Sequence, residues 1–167
     1  MLQLSISSGE GELRAVAGDL RSLTYALSDF RPFWPAAVTA VREIASEAFE
    51  SEGGSTRAGA WARLSPRYAA WKAQRYPGTK ILERTGRLKA SLLGGPEGQV
   101  ISEPKQLTIR STVPYGGFHQ EGTPNMPRRA PWSPTDRDAY RITAAVSREI
   151  RRLRLSHLAW SGGQAAA

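Results

Sequence analysis

Leu2, Leu4 and Ile6 alternate with polar residues and stop at Ser7-Ser8-Gly9, the pattern of a short strand with one buried face. The period then changes. Leu13, Val16, Leu20, Leu23, Leu27 and Phe30 fall at steps of three and four, which predicts a helix over residues 13–30 with one narrow apolar stripe. Pro32 and Pro35 break that helix and open the next. Over residues 36–50 the helical period returns, with Val38, Val41, Ile44, Ala48 and Phe49 on one side. Residues 51–59, rich in Gly and Ser, read as a loop. Ser65-Pro66 predicts an N-cap followed by proline in the first turn, and Pro77-Gly78 the stop. Residues 82–93 predict a further short amphipathic piece with Leu82, Leu88 and Leu92 apolar.

Residues 99–102 and 107–113 read as two strands around a four-residue connection, a β-hairpin with Leu107, Ile109, Ser111 and Val113 on one face. Residues 114–131 follow as a loop dense in Gly and Pro. Ser133-Pro134 repeats the cap-then-proline signal and opens a last helix to about Leu155. No internal repeat is present. Strands few in number and adjacent, with helices on either side, predict an α+β domain over residues 1–160 built on a small antiparallel sheet. Residues 161–167 are expected to be a mobile tail.

Composition narrows the class. The chain has 167 residues, 40% of them apolar, which suits one domain with a modest core. It has no cysteine, so disulfides, thiolate nucleophiles and thiolate metal sites are excluded. No secretory signal pattern and no apolar run of membrane-spanning length occurs, so a soluble protein used without secretion is expected. The net charge of +8 is uneven. Residues 1–83 carry a net +1 and residues 84–167 a net +7. Such an asymmetry suits nucleic acid or an acidic protein surface as partner, or simple solubility. In the last helix, at about 100° per residue, Ile142, Val146, Ile150 and Leu153 share one face. Arg137, Arg141, Arg148 and Arg152 share the opposite one. The apolar face is expected to dock on the core. The arginine face is expected to meet DNA phosphates or carboxylates of a neighbour, or else to be solvated.

The constellations of an enzyme are missing from the sequence. There is no phosphate loop, dinucleotide fingerprint, His-Glu-x-x-His or nucleophile elbow. Of the two imidazoles, His157 follows the expected helix end. His119 lies one residue from Glu121, and in an extended segment that spacing puts both on one face as a two-ligand metal half-site, with Asp136 or Asp138 as a third ligand. Asp136 and Asp138 are equally accounted for by the helix dipole. The simpler reading of His119 is a side chain that bonds backbone groups and holds a bend, with Gln120 and Glu121 facing outward. Trp61, Leu64, Tyr68 and Trp71 recur at helical spacing and read as core, with an anchor for a partner subunit or a stacking platform for bases as alternatives.

Taken in order, several pieces carry a family resemblance. They are Trp61-Ala62-Arg63-Leu64-Ser65, Tyr68-x-x-Trp71-Lys72, Pro77-Gly78 and Ile81-Leu82-x-x-Thr85-Gly86-x-Leu88-x-x-Ser91. After the strand pair come Tyr115, His119-Gln120-x-Gly122-Thr123 and Met126-Pro127-x-Arg129. This set resembles the phage virion morphogenesis family, the tail-completion proteins of Mu-like phages and their relatives, over roughly residues 10–155. One departure stands out: family members follow the His-Gln-x-Gly-Thr piece with Arg-Pro-Phe or Arg-Pro-Trp, whereas Ala130 here separates Arg129 from Pro131-Trp132. The resemblance implies a small sheet flanked by a long N-terminal and a C-terminal helix. It also implies a structural protein of the virion neck, head-tail connector or tail terminus, without enzymatic activity or cofactor. Its expected partners are copies of itself in a ring, often sixfold, other neck, connector or tail proteins, and the genomic DNA in the channel. Its expected place is the virion, and the host cytoplasm during assembly. A small basic DNA-binding module is the alternative.

Overall fold

The computed structural model describes residues 28–164, with side chains as far as Leu153. The expected strand at 2–6 and nearly all of the expected helix at 13–30 lie outside the described residues. Helix α1, Trp34–Glu50, opens with Pro35 in its first turn. Its buried face is Ala37, Ala40, Ile44, Ala45, Ala48 and Phe49, so Val38 and Val41 sit half-exposed beside the stripe rather than on it. Small residues on that face let the last helix approach closely. Helix α2, Pro66–Arg75, starts after Ser65 as expected. Helix α3 is Arg87–Leu92 only. Residues 81–86 are turns instead of helix, with Leu82 at φ 64° and Gly86 at φ 70° as the residue before α3. The left-handed backbone there turns Leu82 back toward the core.

Strands β1, Gly98–Ser102, and β2, Leu107–Ser111, form a two-stranded antiparallel sheet in which Val100 faces Ile109. The fold is α+β, as expected. Two contacts fix the hairpin tip on the start of α1: Phe30 N donates to Pro104 O at 2.7 Å and Trp34 Nε1 to Glu103 O at 2.8 Å. Ser91 and Ser111 hydroxyls, 2.6 Å apart, tie α3 to β2. The core centres on Phe49, Trp61, Leu88 and Val113, with Ile81, Leu82, Leu92 and Tyr115 packed around them.

The 114–131 segment contains a helix that its composition hides. Helix α4, Gly116–Glu121, begins with two glycines. Glycine is a poor helix former, so tertiary contacts must hold this turn. The last helix, α5, runs Asp136–Gln164. Its start is set by Thr135 rather than by Ser133. Thr135 N donates to Asp138 Oδ2 at 2.9 Å and Asp138 N to Thr135 Oγ1 at 3.2 Å, a reciprocal cap. Its backbone continues helical to Gln164, into the segment expected to be a tail.

The docking face of α5 also differs from expectation. Asp138 and Ala145 are its buried residues, while Ile142, Val146, Ile150 and Leu153 are half-buried. The contact stripe therefore lies between the apolar face and the arginine face. An alanine-faced neighbour admits small residues and a paired ion more closely than it admits branched side chains.

Candidate functional site

The resemblance-bearing residues meet around α4 and the chain that returns from it. Gly122, at φ 82°, ends α4 and turns the chain back. A Cβ there would lie 3.1 Å from Arg128 N, so both conformation and space require glycine. Thr123 and Met126 then pair across a tight turn, with N–H to carbonyl distances of 2.9 and 3.1 Å. The return strand is sewn to α4 by Arg129 N donating to His119 O at 2.9 Å and Arg128 Nε to Gln120 O at 2.9 Å. Gln120 does not face outward. Its Nε2 donates to Trp132 O at 2.7 Å and its Oε1 accepts from Trp132 N at 3.2 Å.

The same return strand is bonded to the segment before α2. Trp61 Nε1 donates to Ala130 O at 3.0 Å. Arg129 Nε donates to Ala62 O at 2.7 Å and its Nη2 to Arg63 O at 3.0 Å. Trp61 meets Phe49 edge-to-face at 5.3 Å. Ala130, which separates Arg129 from Pro131-Trp132, is 1% exposed, and its carbonyl is the acceptor for Trp61.

Trp61 and Leu88 are core, as expected, and Leu64 and Leu82 are half-buried. Tyr68 and Trp71 are not core. They are 39% and 43% exposed, stacked on each other at 5.4 Å, and Trp71 meets Tyr76 at 5.8 Å. Helix α2 instead turns Lys72 inward, 5% exposed, with Nζ donating to the carbonyls of Thr79 and Lys80. Burial lowers its pKa.

These elements enclose a cavity of about 420 Å³ between α2, the 82–85 turn and α4. Tyr68, Lys72, Tyr115, His119 and Arg129 line it. His119 does not hold the bend through its ring: among the described residues Nδ1 is buried without a partner, and its backbone carbonyl ties the loop. Burial, and then the charge of Arg129, lower the His119 pKa and keep the imidazole neutral at neutral pH. The His119–Glu121 metal half-site does not form, because residues two apart on helix α4 project to different sides. Asp138 is bonded to Thr135, and Asp136 to Arg57. Among the described residues no group of three or more His, Asp or Glu is placed to hold a metal ion. No helix among them is long and apolar enough to cross a membrane.

The arginine face is divided. Arg141, Arg148 and Arg152 line a groove of about 540 Å³ between α1 and α5, while Arg137 is exposed outside it. Arg141 grips Glu47 through both Nη atoms at 2.7 Å, which raises its pKa and lowers that of Glu47. Arg152 pairs with Glu149 at 2.6 Å. Arg137 and Arg148 form no ion pair among the described residues.

Sequence reading missed the inward turn of Lys72 and the Gln120 clasp on Trp132. Neither has a local signal, since the partners lie seven, eight and twelve residues on, outside any helical or strand period. The Thr135-x-x-Asp138 cap was written in the sequence as a capping-box spacing. No family model, curated protein or solved structure matches this chain.

Proposed function

We propose that this chain is a structural, non-enzymatic virion morphogenesis protein that works in a head-tail connector, neck or tail terminus. It does so as part of a homo-oligomeric ring, sixfold as the resemblance implies, around the DNA channel. One observation carries the reading. The pieces that bear the resemblance, more than sixty residues apart in sequence, are joined by hydrogen bonds from Trp61 and Arg129 to backbone carbonyls. Side chains used in this way build a rigid surface rather than a reacting centre, where a nucleophile, a base and an orienting group would converge. The exposed Tyr68–Trp71 stack adds the kind of aromatic surface that protein interfaces favour.

A free DNA-binding module fits less well, because Arg141 and Arg152 are neutralised within the chain. Neighbouring neck, connector and tail proteins are the partners in this proposal, with DNA contact limited to the unpaired arginines. The test is disruption of the gene in a strain that carries it on an inducible phage element, followed by electron microscopy of the lysate. The expected result is separate heads and tails or unfinished tails, restored by the gene in trans. Normal infectious particles from the disrupted strain would overturn the proposal.

A further inference from the structure

The cavity beside α2 and α4 holds buried cations without a matching anion among the described residues. Arg129 is 7% exposed and Lys72 5%, and no Asp or Glu of the described residues lines the cavity. A buried charge is costly unless paired. Arg129 places Nε and Nη2 on two backbone carbonyls, neither of which carries a charge. Lys72 feels Glu52 and Glu83 through space, yet Glu52 accepts from Ile81 N and Glu83 from Lys89. One polar atom is incomplete: the buried His119 Nδ1 has no partner among the described residues, although buried polar atoms in folded proteins nearly always have one.

The walls are not those of a bare phosphate site. Leu64, Leu82, Met126 and Pro127 supply an apolar lining. Tyr68 lines the cavity and leads outward to Trp71. An apolar wall, convergent polar groups and an exposed aromatic stack suit a peptide, whose side chains bring both apolar area and charge.

We propose that this cavity is a docking site for a carboxylate side chain on an apolar-flanked peptide segment of a partner protein. The carboxylate supplies the negative charge that Arg129 and Lys72 lack, through charge-assisted bonds to the guanidinium donors that the Ala62 and Arg63 carbonyls do not use. The flanking apolar side chains cover the Leu82 and Met126 wall and the Tyr68–Trp71 stack. The chain's net charge of +8 favours approach of an acidic partner. This chemistry holds whether or not the chain ends in a virion, so the particle experiments and the binding experiment fail independently.

The test is a set of NMR titrations of the full chain at matched ionic strength. The probes are acetyl-Leu-Glu-Leu-amide, acetyl-Leu-Gln-Leu-amide and inorganic phosphate, read at the His119 ring and the Arg129 Nε–H. The Glu peptide is expected to give saturable shifts, with affinity about tenfold above the Gln peptide, as loss of a charge-assisted pair implies. It is also expected to bind more tightly than phosphate. Arg129→Lys is expected to weaken the Glu peptide. Arg84→Glu, at an exposed residue on the rim, reverses a charge without touching the core and is expected to weaken it as well. Equal binding of the Gln peptide, tighter binding of phosphate, indifference to Arg84→Glu, or absence of shifts at both reporters would each overturn the proposal.

Discussion

Trp61→Phe tests how the return strand is held. Phenylalanine keeps an aromatic ring to face Phe49 but loses the indole N–H that reaches Ala130 O at 3.0 Å. Trp61 is 5% exposed and Ala130 1%, so water does not readily replace the lost donor. An unsatisfied buried acceptor costs ~1–3 kcal/mol. The smaller ring leaves a void worth roughly 1–2 kcal/mol more, by analogy with partial core truncations. The sum is about 2–5 kcal/mol, or a fall in Tm of about 5–15 °C for a chain of this size. Urea unfolding followed by far-ultraviolet circular dichroism measures the change without relying on tryptophan emission. Amide exchange should also accelerate at Arg129, whose N–H bonds His119 O in the same strand. A loss below about 0.5 kcal/mol, the range of unremarkable surface changes, would refute the claim that this bond closes the scaffold.

Four further outcomes are expected. Gly53→Ala places a Cβ 2.4 Å from Trp61 Cδ1 at φ 88°, and should lose ~2–4 kcal/mol from conformational strain plus overpacking. Gly59→Ala, at φ 78° with nothing within 4 Å, should lose only ~1–2 kcal/mol in the same urea assay, and equal losses would show that the clash is relieved. His119 has a folded pKa below its ordinary 6.5, so its contribution to stability is complete above pH 6.5 and is lost as pH falls toward the folded pKa. His119→Gln should flatten the fall in urea midpoint just below pH 6.5, and an unchanged slope would count against a buried neutral imidazole. Lys80 and Lys89 hold the Glu50 carboxyl at about 2, against an ordinary 4.5. Its stabilising effect is present above pH 4.5 and lost as pH falls toward 2, and Lys80→Ala with Lys89→Ala should return its NMR titration midpoint toward 4.5.

What was legible in the sequence is what local chemistry decides. The period of two in the hairpin and the Pro35 and Pro66 helix openings are local patterns, and each has its counterpart in the fold. Helix α4 was hidden because Gly116 and Gly117 argue against it, while the contacts that hold it come from Arg128, Arg129 and Trp132. The stripe from Trp61 to Trp71 misled for a related reason. Trp61 precedes α2 and enters the core, whereas on α2 itself Lys72 is the buried residue and the Tyr68 and Trp71 rings stay exposed. The arginine face of α5 was visible as a periodicity, but Arg141's pairing with Glu47, ninety-four residues away, was not. For the candidate site, the ordered motif named His119, Gln120 and Arg129. Only packing shows that Gln120 is a clasp, that Arg129 is buried against two carbonyls, and that Lys72 joins it around one cavity.

Mass spectrometry of purified particles from an induced lysate, with copy number taken against the major tail protein, tests the structural assignment most directly. A small fixed number of copies per particle, near six, is the expected result. Complete absence of the chain from infectious particles would contradict its role as a virion component.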